Sequence, residues 1–253
     1  MTSSDVCDQG AIDDLFAKYA NHDGLPQAFC WLGNDYLDAR QDEKAAQCYQ
    51  YVIDNSPDSN AAMSSWAGIA RVHIRRGDDQ AAQPVIDKLI ADFNDNPEVA
   101  AAVFRIGEEY YEPAFAAENK GDVSQSKDLF RKTIAIWERI VTELPESAIT
   151  PQAYYFSARC YETLGELDHA ANYYQTVIHD WPDYKFCDVA HFLFARCFET
   201  LANSGSIPKE EAALMIRDTC EKLLADYPNS KIVKATTNLL AQWESVRAEQ
   251  IKE

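Results

Sequence analysis

The chain has 253 residues, 47% of them hydrophobic and 25% charged, and a formal net charge of −18. That composition argues against a disordered chain, whose few apolar side chains could not offset the entropy of ordering it. The acidic balance, with no Lys/Arg run, argues against a nucleic-acid binder, which needs a concentrated basic stripe to displace counterions, and against binding at an anionic membrane surface.

Glycine is scarce, at nine residues, and the ten prolines are spread along the chain, so long helices are expected in place of many short strands. Met1 to Asp8 show neither a basic start nor an apolar stretch, so no signal peptide is expected, and nothing later reads as a membrane span. The expected location is cytoplasmic, or periplasmic or envelope if the sequence is an excerpt of an exported protein. The seven cysteines are odd in number and lack CxxC spacing. They read as reduced thiols packed as small apolar side chains.

In chain order, residues 8–20 form a half-repeat in which Ile12, Leu15, Phe16 and Tyr19 share one helical face. Repeat 1, 26–60, pairs a helix marked Leu32-Gly33 and Tyr36 with one marked Ala45, Tyr49 and Val52 that stops at Pro57. Repeat 2, 61–97, restates both with Ile69-Ala70 and His73, then Ala82, Ile86 and Leu89 leading to Asn94. Repeat 3, 98–147, opens with Ile106-Gly107 and Tyr110, 37 residues after its predecessor. It carries an insertion of about 14 residues, placed as a loop over 113–127, which either extends both flanking helices into a protruding hairpin for a partner or is a passive insertion. Repeat 4, 148–184, contains Ala158-Arg159-Cys160-Tyr161-Glu162-Thr163-Leu164, with Ala170, Tyr174 and Val177 leading to Pro182. Repeat 5, 185–230, restates that run 37 residues on as Ala195-Arg196-Cys197-Phe198-Glu199-Thr200-Leu201. Its insertion of about nine residues is placed over 203–211. Residues 231–253, around Leu240-Ala241, are expected as a C-terminal capping helix.

The spacing has a physical meaning. In each first helix a small residue follows an apolar one with a ring three positions on, which sets the large groups on one face beside a place where another helix can approach closely. In the second helices the alanine permits close packing and the proline stops the helix. Ser59, Ser147 and Ser230 follow those stops as expected N-caps.

The pattern apolar-Gly/Ala-x-x-Tyr, then Ala-x-x-x-Tyr-x-x-Val-x-x-x-x-Pro, resembles the tetratricopeptide repeat, most fully over 28–57 and 153–182. The 37-residue period and endings such as Tyr227-Pro228-Asn229-Ser230 resemble a bacterial subgroup. It includes the lipoprotein of the outer-membrane β-barrel assembly machine and the periplasmic repeat protein that works with Tol–Pal. The chain departs from these in having no export signal and no lipidation box at Cys7. The resemblance implies an all-α fold: a right-handed α-solenoid superhelix of about five antiparallel helix pairs with terminal half-repeats. It also implies a scaffold that binds protein, with no cofactor.

In such repeats the residue after the small one faces a concave groove. Asn34, Arg71, Glu108, Arg159 and Arg196 hold that place, with Phe104, Tyr111, Tyr155 and Phe192 nearby as anchors. The arginines either form a ladder of forked donors for carboxylates on a bound peptide or pair with glutamates such as Glu108, Glu162 and Glu199 and tie repeats together. Asn34 and Arg105 fit two places of the family's terminal-carboxylate clamp. Cys30, Gly68 and Ala101 occupy the others, so a full clamp is not expected. Trp31, Trp66, Trp137 and Trp181 are expected in core packing. No metal or catalytic residues are expected, since the five histidines show no HExxH pairing and no phosphate-cradling glycine loop or nucleophile elbow occurs. The chain is therefore expected to be a non-catalytic scaffold taking a peptide or protein segment in its groove. The alternatives are a structural module of a larger envelope or assembly complex that docks by its edge or insertions, and a regulatory fragment of a longer protein.

Overall fold

In the computed structural model, which describes residues 18, 19, 22 and 24–250 and side chains as far as 244, every regular element is an α-helix. Repeat 1 holds α1 (Leu25–Asp38) and α2 (Asp42–Asn55), and repeat 2 holds α3 (Asn60–Arg75) and α4 (Asp79–Phe93). They are followed by α5 (Val99–Asn119), α6 (Val123–Glu143), α7 (Thr150–Leu164), α8 (Leu167–Asp180), α9 (Cys187–Asn203), α10 (Lys209–Asp226) and α11 (Val233–Gln250). The fold is an all-α solenoid of consecutive helix pairs. The chain divides into two compact units, Met1–Glu109 and Tyr110–Glu253, the division falling within α5. The expected half-repeat over 8–20 lies outside the described residues except for Lys18 and Tyr19. None of the described helices is long and apolar enough to cross a membrane.

The repeat markers are the core. Ala45, Tyr49 and Val52, then Ala82, Ile86 and Leu89, and again Ala170, Tyr174 and Val177 are each no more than 1% exposed. Helix ends follow the stop signals: α2 closes at Asn55 before Pro57, and α4 at Phe93. Ser59 caps α3, its hydroxyl accepting from the Ala62 amide at 3.0 Å. Ser147 and Ser230 stand earlier than expected and accept from the amides of Ile149 and Ile232, both at 3.2 Å, ahead of α7 and α11.

Two placements differ from the sequence reading. Residues 113–127 are not a loop. They lengthen α5 and α6, which meet at a turn where Gly121 adopts φ +79°. Pro113 sits inside α5, exposed, while Ala114, Ala117 and Phe130 are buried. The apolar stripe thus continues through the insertion, and its burial outweighs the lost amide donor. The second insertion is also shorter as a loop, since α9 runs to Asn203 and α10 starts at Lys209.

The six described cysteines are free and buried. Burial pushes the Cys197 and Cys220 thiols up to about 12, which keeps them protonated and unreactive. In the C-terminal unit His191 is 2% exposed, its Nδ1 has no partner, and its ring lies 5.7 Å from that of Tyr227. Desolvation, with Lys222 adding to it, lowers its pKa from 6.5 to about 4, against the opposing pull of Asp226 and Asp188. The unfolded chain therefore takes the proton first. The unfolding free energy is expected to fall by about 3 kcal/mol as pH drops from 6.5 to 4. Chemical denaturation of wild type and His191→Phe across that range checks this: the variant should lose most of that slope, and equal slopes would contradict the assignment.

Candidate functional site

The N-terminal unit carries a cleft of about 200 Å³ lined by the first helices of its repeats. Gln27, Trp31 and Asn34 enter from α1, Ser64, Gly68 and Arg71 from α3, and Ala102 and Arg105 from α5, with Glu98 just ahead of α5. Within each helix these positions are three, four or seven apart, so they fall on one face. Between helices they obey the 37-residue register: Gln27 with Ser64, Trp31 with Gly68 and Arg105, and Asn34 with Arg71.

The wall between α1 and α3 is fixed by Tyr49. Its ring is fully buried against Gly33 and Gly68, where a Cβ would come within 2.6 and 2.4 Å of ring carbons. Its hydroxyl donates to Asn34 Oδ1 at 2.7 Å, orienting that amide in the cleft wall. Arg71 is anchored as well, donating from both Nε and Nη2 to Glu109 Oε1 at 2.8 Å. At 20% and 17% side-chain exposure this pair holds α3 to α5. Arg105 differs: it is exposed and makes no ion pair or hydrogen bond among the described residues. Burial pushes the Cys30 thiol in the same cleft up, with the Arg105 charge opposing. Trp31, 62% exposed on α1, lines the same cleft.

The other expected site residues have separate fates. Phe104 is 5% exposed and Tyr155 is 4% exposed, so both are core side chains and present no face to a ligand. Glu108 is exposed on α5. In the C-terminal unit, Tyr111 is half-buried in a ring cluster with Phe115, Trp137 and Phe156, at centroid distances of 4.9 to 5.8 Å. Phe192 is partly buried against the core cluster that includes Ile216 and Trp243. Arg159 lies 3.8 Å from Glu162, and Arg196 lies 2.9 Å from Glu199. These two pairs form within one helix, at i,i+3, and do not cross between repeats as Arg71–Glu109 does. All three arginines of the expected ladder are thus already matched with a carboxylate.

Sequence reasoning missed Trp31, taken as core, and gave Arg105 only a partial place in the clamp. The available signal was the register itself, since positions 31, 68 and 105 are one repeat place.

Two family models, each described as tetratricopeptide repeat, match residues 27–59 and 151–178, which are the α1–α2 and α7–α8 pairs. Among solved structures, the C-terminal part of a TPR repeat-containing protein from Cytophaga hutchinsonii aligns over 96% of this chain and 85% of that chain. Its identity is 14% and its TM-score 0.52, a likeness of fold alone. MamA protein aligns over 82% of this chain and 97% of that chain at 16% identity, with a TM-score of 0.40. No curated protein gives a significant match.

Proposed function

From a chain that carries tetratricopeptide repeats, we propose a non-catalytic protein-binding scaffold that takes a carboxylate-bearing peptide segment of a partner in the N-terminal cleft. Repeats of this family are generally protein-interaction modules. The observation that carries the placement is an indole 62% exposed lining the same cleft as a guanidinium that makes no ion pair or hydrogen bond among the described residues. An exposed tryptophan on a concave wall is a candidate anchor for an apolar side chain. An unpaired arginine is a forked donor waiting for a carboxylate. Asn34, held by Tyr49, adds a fixed amide, and Arg71 acts as a strut because Glu109 already neutralises it.

The test is capture of partners from source-cell lysate by wild type and by a Trp31→Ala/Arg105→Glu variant of equal helicity and melting temperature. Loss of an anchor tryptophan costs about 2 kcal/mol, some thirtyfold in Kd, so the partner should be absent from the variant. A partner retained by both would move recognition elsewhere, first to the α5–α6 turn, where Val123 is 59% exposed.

A further inference from the structure

A second cleft, of about 480 Å³, opens on the N-terminal unit and shares no residue with the first. Its apolar lining comes from Ile53, Pro57 and Phe93, with the Trp66 indole on one wall and the carboxylates of Asp58 and Asp92 on others. One cation already sits there. Lys88 Nζ lies 2.6 Å from Asp92 Oδ2 and 5.4 Å from the centre of the Trp66 ring. Half of the Lys88 side chain remains exposed, so this occupant is loosely held. Asp58 makes no ion pair or hydrogen bond among the described residues. The carboxylates lining the cleft therefore outnumber its one cation, and one of them is unmatched.

The repeat register shows why the place is open. The counterparts of Trp66, Val85 and Phe93 in repeat 4 are Tyr154, Tyr173 and Trp181. There the rings of Tyr173 and Trp181 close on Tyr154 at 5.2 and 5.5 Å. In repeat 2 an aliphatic residue, Val85, replaces one of those rings, and the Lys88 ammonium lies 5.4 Å from the centre of the Trp66 ring.

We propose that this cleft binds a basic side chain, lysine or arginine, of a partner protein, and that Lys88 is an internal occupant which the incoming cation displaces. An indole ring and a carboxylate that both reach one cation form a complementary pair of attractions. Asp58 supplies the second charge that Lys88 leaves unmatched. The net charge of −18 on the whole chain favours a basic partner in the encounter.

The probe is an acetylated, amidated Gly-Lys-Gly-Lys-Gly peptide, with its glutamine counterpart as control. It is titrated into the full chain labelled with 5-fluorotryptophan. The Trp66 fluorine signal, identified by its loss in Trp66→Phe, is expected to shift saturably with the lysine peptide and to stay still with the glutamine peptide. Lys88→Gln is expected to tighten binding by about two- to fivefold, and Asp58→Asn to weaken it by a similar factor. Both are surface substitutions, and matching thermal melts establish that the variants fold. An absent or unsaturable shift would overturn the proposal, as would an equal response to the glutamine peptide or a Kd unchanged in both variants.

Discussion

Arg75→Ala is expected to lower the unfolding free energy of the N-terminal unit by roughly 3 kcal/mol, the lower end of what breaking a buried ion pair costs. The Arg75 side chain is 8% exposed. Its Nη1 donates to the Leu37 carbonyl at the end of α1, and its Nη2 lies 3.6 Å from Asp42 Oδ1 at the start of α2. One guanidinium thus adds a second donor to a helix C-terminal carbonyl that also accepts from the Arg40 amide, and it neutralises a carboxylate beside it. Truncation leaves the Asp42 carboxylate without its ion pair, its Oδ1 already lacking a hydrogen bond, and leaves the Leu37 carbonyl with the Arg40 amide at 3.0 Å. Arg75→Lys should recover less than half of the loss, because a single ammonium cannot reach both groups in the fork geometry. Denaturant unfolding of the three proteins decides the matter. A loss below about 1 kcal/mol in Arg75→Ala would put this contact in the class of surface pairs.

Gly68→Ala should cost a similar amount, about 3 kcal/mol, at the upper end of the overpacking range. The added methyl would sit 2.4 Å from the Tyr49 ring, and retreat is blocked because Gly33 already leaves no room for a Cβ on its own side. The Tyr49–Asn34 hydrogen bond would be strained with it. The diagnostic is non-additivity. In a Tyr49→Leu background the smaller side chain should absorb the methyl, so Gly68→Ala should cost less than half as much there. An equal cost in both backgrounds would mean that the ring is not what excludes the Cβ.

What could be read in the sequence follows from how locally each feature is determined. The helix pairs were legible because small residues, rings and prolines recur at fixed spacing, and Tyr49, Ile86 and Tyr174 are buried where the pattern places them. Residues 113–127 read as a loop because the 37-residue register shows only that about 14 residues are inserted, not what structure they adopt. In the folded chain the stripe through Ala114, Ala117 and Phe130 finds a surface to bury against, and the helix runs on. The cleft was half legible. Asn34 and Arg71 line it at the place their register predicts. Which carboxylate each arginine meets depends on tertiary geometry, and the result was Glu109 on another helix for Arg71 but Glu162 and Glu199 on the same helix for Arg159 and Arg196. Trp31 was misjudged because large rings usually bury, and nothing in its immediate neighbours distinguishes it from Trp137, which is fully buried.

The central claim is that a partner polypeptide lies against Trp31 and Arg105. Photo-crosslinking reads this directly: p-benzoylphenylalanine is placed at position 31 in one sample and at position 123 in another, each incubated with source-cell lysate. A discrete crosslinked polypeptide is expected from position 31, lost when Arg105→Glu is added, and none from position 123. A crosslink from position 123 alone would place recognition at the α5–α6 turn and contradict the assignment of the cleft.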